Sequence, residues 1–111
     1  MPELGLSSQQ VNQIQAIRNK YRSQTTEQRQ ALKQAQEELE SMIAGTASAD
    51  ELRQKHHQIQ ALRQQIEEAQ FNSLLEMREV MTPEQRSKYV QVMQSRRRAN
   101  ALKHMMNKKG F

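Results

Sequence analysis

The chain has 111 residues, a net charge of +5, no cysteine and no tryptophan. That length allows one domain, and with Leu, Ile, Val and Phe supplying only 20 residues against 18 glutamines a thick core is excluded. A disulfide framework is excluded as well, and no apolar run approaches the ~20 residues of a membrane-spanning helix, so membrane insertion is not expected.

So low an apolar content would suggest disorder, except that the apolar residues fall in register over long distances. Long helices with narrow apolar seams satisfy both facts, and the expected fold is all-α in a single domain spanning residues 1–111. The first helix is expected from about Ser8 to Ala44, started by Leu6-Ser7-Ser8-Gln9-Gln10. Here an apolar residue precedes a hydroxyl cap, and a glutamine three positions after the cap can reach back to it. Its seam reads Val11, Ile14, Ile17, Tyr21, Thr25, Gln28, Leu32, Ala35, Leu39 and Met42, with steps of three and four almost throughout. Thr25 and Gln28 are polar residues on that seam, and Thr25-Thr26-Glu27-Gln28 could cap a new helix, so a bend or break is expected there.

Gly45 stands where a left-handed residue ends a helix, and Ser48-Ala49-Asp50-Glu51 offers another capping box. The short loop makes the second helix, about Ala49 to Met81, an antiparallel neighbour of the first. Leu52, Ile59, Leu62, Ile66, Ala69, Met77 and Val80 form its inward face. Phe71, Leu74 and Leu75 fall off that face. They are expected either to be covered by a third helix or a dimer partner, or to form a partly exposed surface that holds apolar segments of other proteins.

A further start signal follows at Val80-Met81-Thr82-Pro83-Glu84-Gln85-Arg86: Thr82 caps, Pro83 sits where a missing N–H costs nothing, and Gln85 can reach back. The third helix is expected over about residues 83–98, with Tyr89, Val92 and Met93 on one side, then a basic tail over 99–111. Arg96, Arg97 and Arg98 with the lysines that follow form a candidate contact for anionic partners. Neither interleaved aromatics nor a DNA-binding motif supports a specific nucleic-acid function.

The two outer start signals resemble the twice-repeated Leu-Thr-x-x-Gln signature of the Spy/CpxP family of bacterial periplasmic stress proteins, with Ser7 for Thr in the first copy and Met81 for Leu in the second. The likeness covers roughly residues 4 to 98. It implies a long antiparallel helical hairpin with a shorter third helix, assembled as a curved, cradle-like homodimer. It also implies an ATP-independent chaperone that binds unfolded or aggregation-prone proteins under envelope stress. Members of the family are exported, so the resemblance implies a periplasmic protein whose leader is absent from this chain. On this reading Phe71, Leu74, Leu75, Met77, Met81 and Met93 are the candidate client contacts, since flexible thioethers suit promiscuous recognition. Leu6, Ser7, Gln10, Met81, Thr82, Pro83 and Gln85 carry the motif and read as helix caps rather than contacts.

Some relatives of that family sense or store transition metals, which gives the alternative of a zinc, copper or nickel sensor or regulator. Candidate donors are His56 or His57 with His104, helped by Glu37, Glu38 and the thioethers of Met105 or Met106. They would meet if both the second and third helices fold back as hairpins. Without the metal no cofactor is expected. An enzyme is not expected either, because the chain lacks a glycine-rich phosphate loop and its three histidines stand in no recognisable nucleophile or metalloprotease setting.

Overall fold

The computed structural model describes residues 4–109, which form three helices: α1 (Ser8–Ala44), α2 (Ala49–Val80) and α3 (Pro83–Lys109). The fold is all-α. At about 1.5 Å per residue the 37 residues of α1 span roughly 55 Å, which matches the longest dimension of a molecule measuring 56 × 38 × 17 Å. A thickness of 17 Å leaves little room beyond one or two helix layers, so the chain is flat and the core is thin.

The hairpin of α1 and α2 is the main packed unit. Ile14, Thr25 and Ala35 from the α1 seam are buried, as are Ile59, Ile66 and Met77 from the inward face of α2. Two ion pairs fix the antiparallel register, Lys20 with Glu76 at 2.7 Å toward one end and Lys55 with Glu38 at 2.5 Å toward the other. Beyond the seam a second core gathers Leu4, Ile14, Met77 and Met81, with Leu6, Ile17, Val80, Tyr89 and Val92 packed round it. This cluster is where all three helices meet.

The expected break at Thr25 does not occur, and α1 is one helix. The Thr25 hydroxyl donates back to the carbonyls of Tyr21 and Arg22, at 3.0 and 3.2 Å, which lets a polar side chain sit buried on the seam without uncapping the helix. Gln28 is less well served, because its buried Oε1 has no partner. Gly45 does not take the left-handed conformation: its φ is −101°, and its N–H closes the helix on Met42 O at 3.2 Å. Among the described residues positive φ occurs at Gly5, at 63°. The box at Ser48 is half formed, with the serine hydroxyl accepting from the Glu51 N–H and no reciprocal bond from the Glu51 side chain.

The largest departure lies in α3, which runs to Lys109 rather than ending near Arg98. Residues 99–109 hold Ala, Leu, Lys and Met but neither Gly nor Pro, so they are helix formers even where the earlier apolar period is lost. Cations near a helix C-terminus also complement its dipole. Nor does α3 fold back along the hairpin. Only its first turns reach the core, through Tyr89 and Val92, and the side chains from Gln94 to Asn107 are exposed.

Candidate functional site

Both outer start signals fold as full capping boxes. Ser7 Oγ accepts from the Gln10 N–H at 3.1 Å while Gln10 Oε1 accepts from the Ser7 N–H at 2.9 Å. Thr82 and Gln85 repeat the exchange at 3.3 and 2.9 Å. The two glutamines then bind each other across the fold. Gln10 Nε2 donates to Gln85 Oε1 at 2.9 Å and to Val80 O at 2.9 Å. In return Gln85 Nε2 donates to Gln10 Oε1 at 3.2 Å and to Gly5 O at 3.1 Å.

Each partner on one side stands 75 positions from its counterpart on the other, so the clasp is an internal repeat with near-twofold bonding. Each amide oxygen accepts twice and each amide nitrogen donates twice, which exhausts the bonding capacity of both groups. This explains why the position takes glutamine. Glutamate lacks the donors, and asparagine is a methylene too short to cap its own helix and reach the other. The Val80 carbonyl is one of the acceptors left open at the end of α2, and the clasp fills it. Gly5 presents its carbonyl from the left-handed region, where a residue without Cβ is at ease.

Beside the clasp, hollows of about 450 and 310 Å³ share Arg18, Arg22, Met77 and Tyr89 and so form one groove. Arg18, Arg22 and Arg29 line it from one face of α1, and Leu74 and Met77 supply apolar surface from α2. Among the described residues no carboxylate lines either hollow. None of the three arginines has an ion-pair partner among the described residues; Arg29 Nε instead donates to Thr25 Oγ1 at 3.0 Å. Tyr21 stands at the rim, with Lys20 4.8 Å from its ring centre. Glu76 lies next to both. Its hydrogen bond from Lys20 holds its carboxyl below the ordinary carboxylate range, and the same carboxylate raises Lys20 and Tyr21 above theirs. The groove is therefore cationic and partly apolar, suited to a flexible ligand that carries both carboxylates and apolar side chains.

The residues expected to contact clients are divided by the structure. Phe71 and Leu75 are exposed, at 58% and 44%, on the outer side of α2. Leu74 is half-buried in the groove, and Met93 is half-buried on α3. Met77 and Met81, only 5% and 4% exposed, belong to the core. They hold the scaffold and present little surface, because the cluster that joins the three helices needs apolar volume at those two points. The motif residues act as caps, as expected, but Gln10 and Gln85 also fasten α3 to the start of α1.

Arg96, Arg97 and Arg98 are exposed on α3. The side chains of Lys108 and Lys109 lie outside the described residues. Among the described residues no three His, Asp or Glu side chains converge in a way that could hold a metal ion. His56 and His57 are exposed on α2 with ring centres 6.3 Å apart and planes tilted by 46°, and His104 is exposed on α3. The donors expected for a metal thus do not form a site within one chain. Glu38 does lie opposite this part of α2, but it pairs with Lys55, whose hydrogen bond lowers the carboxyl below its ordinary pKa.

Reading the sequence missed the arginine face of the groove. Its signal was present, since Arg18, Arg22 and Arg29 share one helix face with Thr25, next to the seam.

Fold and site together define a small, flat, all-α protein organised round a repeated cap motif. Residues 2–88 match the family described as heavy-metal resistance. The chain belongs to that family, which lies within the Spy/CpxP-like helical superfamily. No curated protein and no solved structure matches the chain.

Proposed function

We propose that this chain is an ATP-independent chaperone of the periplasm, acting as a homodimer that binds unfolded or aggregation-prone proteins under envelope stress in the manner of the Spy/CpxP family. The observation that carries this reading is the groove beside the clasp, where Arg18, Arg22 and Arg29 have no carboxylate partner among the described residues and Leu74 supplies apolar surface. Unfolded chains offer both carboxylates and apolar side chains. Contacts of this mixed, solvated kind are weak one at a time, so a bound segment exchanges quickly and can fold between contacts. Phe71 and Leu75 extend the apolar surface on the outer side of α2.

The test is aggregation of several unrelated unfolding proteins, followed by light scattering with stoichiometric amounts of this protein and no nucleotide. Suppression across the panel is expected. R18Q with R22Q should weaken it most for acidic clients, and Phe71→Ser with Leu75→Ser should weaken it for all. No suppression at several-fold excess overturns the reading.

The heavy-metal resistance family favours a second reading, a zinc, copper or nickel sensor or regulator. Among the described residues no three His, Asp or Glu side chains of one chain converge, so on this reading the site draws side chains from two chains. A rise in melting temperature with any of the three ions, lost in His56→Ala, His57→Ala or His104→Ala, would replace the first reading.

A further inference from the structure

The apolar stripe of α3 changes sides halfway along the helix. Advancing about 100° per residue from Tyr89 puts Met93 at about 40° and Val92 at about 300°, the side that faces the hairpin. The same count puts Met105 and Leu102 at about 160° and 220°, nearly opposite Tyr89, and Met106 at about 260°, at the edge between the two sides. All three are exposed, at 55%, 59% and 64%. Leu102 and Met105 therefore point away from the side on which α3, among the described residues, meets the core.

Charge separates along the chain in the same way. Up to Glu84 nine cations stand against twelve acids, for a net −3, while from Gln85 onward eight cations stand without a single acid, for +8. Around the second stripe Arg96, Arg97, Lys103 and His104 occupy the opposite arc at about 340°, 80°, 320° and 60°, and Arg98 lies within the stripe at about 180°. Helical residues 95–107 thus form an amphipathic segment, with Arg98 and Ser95 as the polar residues on its apolar side and Asn100 and Asn107 among the cations on the other.

We propose that this segment binds the surface of an anionic lipid bilayer, lying in the interface with Leu102, Met105 and Met106 dipped among the acyl chains and the arginines and Lys103 at the headgroups. An amphipathic helix with cations and no acids matches that surface. Two such helices facing each other would bring like charges together. The apolar outer side of α2 in a second copy offers Glu67 and Glu68 beside Phe71, too few carboxylates for the cations of the segment. Three large side chains also fall short of the about 800 Å² per partner that a stable protein interface takes. Spanning is a separate matter: among the described residues no helix is long and apolar enough to cross a membrane. The inference stands independently of the client reading, since the two use different residues.

The test is co-flotation of the full chain with vesicles of phosphatidylglycerol and phosphatidylcholine, beside vesicles of phosphatidylcholine alone. Binding to the anionic vesicles only, falling steeply with added salt, is expected. Replacing Arg96, Arg97 and Arg98 by Gln should weaken it about a hundredfold, and L102S with M106S at least about tenfold. These positions are exposed, so circular dichroism of the variants should match the parent. Equal binding to both vesicles, or binding to neither, overturns the proposal. So does a change of oligomeric mass in the L102S/M106S variant without lipid, which would assign the stripe to a second copy.

Discussion

Gln85→Glu isolates what the clasp contributes. The carboxylate keeps an oxygen for the Thr82 N–H, so the cap on α3 survives. Both donors are lost, and with them the bonds to Gly5 O at 3.1 Å and Gln10 Oε1 at 3.2 Å. The remaining oxygen also faces those two acceptors. At about 0.5–1.5 kcal/mol net for each bond, the two lost bonds should cost about 1–3 kcal/mol, and the new repulsion pushes the loss toward the upper end. For a chain of this size that corresponds to a fall in melting temperature of roughly 3–12 °C. The assay is denaturation followed by circular dichroism at fixed protein concentration, for Q85E, Q10E and both together. If the clasp is a mutual device, the double variant, in which two carboxylates face each other with no donor between them, should lose more than the sum of the two, with a coupling of about 1 kcal/mol or more. Additivity, or a Q85E as stable as the parent, would refute the reasoning and reduce the motif to two independent helix caps.

Gly5→Ala should cost about 1–2 kcal/mol, because a Cβ is strained at a φ of 63° even though it would meet no atom within 4 Å; a neutral result in the same denaturation assay would mean that the turn relaxes freely. Met77→Ala should lose about 2–4 kcal/mol through the cavity it leaves in the core, while Phe71→Ser should stay within about 0.5 kcal/mol, so equal losses would contradict the burial assigned to the two. The Lys20–Glu76 pair predicts a pH dependence. Glu76 is lowered, so its contribution is complete above the ordinary carboxylate pKa and disappears as pH falls through the lowered value; Lys20 is raised, so its part persists at neutral pH and is lost only as pH rises through the raised value. Glu76→Gln should therefore melt below the parent at neutral pH and converge with it in acid, and a gap that persists in acid would count against the pair.

Most of the helical architecture was legible because period and punctuation agree. The seam from Ile14 to Met42 has a three-and-four step, and Ser7, Ser48 and Thr82 carry hydroxyls where helices start. The readings that failed share a cause: a local signal was taken without its surroundings. Thr25 looked like a break, since a side chain's ability to bond back to Tyr21 and Arg22 does not show in its position on a seam. α3 seemed to end where its apolar period ended, but the period had moved to the other side while the propensity of residues 99–109 stayed helical. Met77 already stands on the inward face of α2 by period, and it and Met81 are expected as recognition thioethers only through the family resemblance, which says nothing of their burial. The caps of Gln10 and Gln85 were visible, yet their mutual bond was not, because a contact across 75 positions depends on where two helix starts come to rest.

The clasp also governs something at a distance. α3 is held near its base, by two amides and the few apolar side chains around Tyr89, and beyond Val92 about 25 Å of helix extends as a lever arm. Water competes for amide bonds more readily than for a methionine core, so the fulcrum of this lever is its wettest joint. A slight rearrangement there would be magnified along the arm and would re-aim the most cationic surface of the chain.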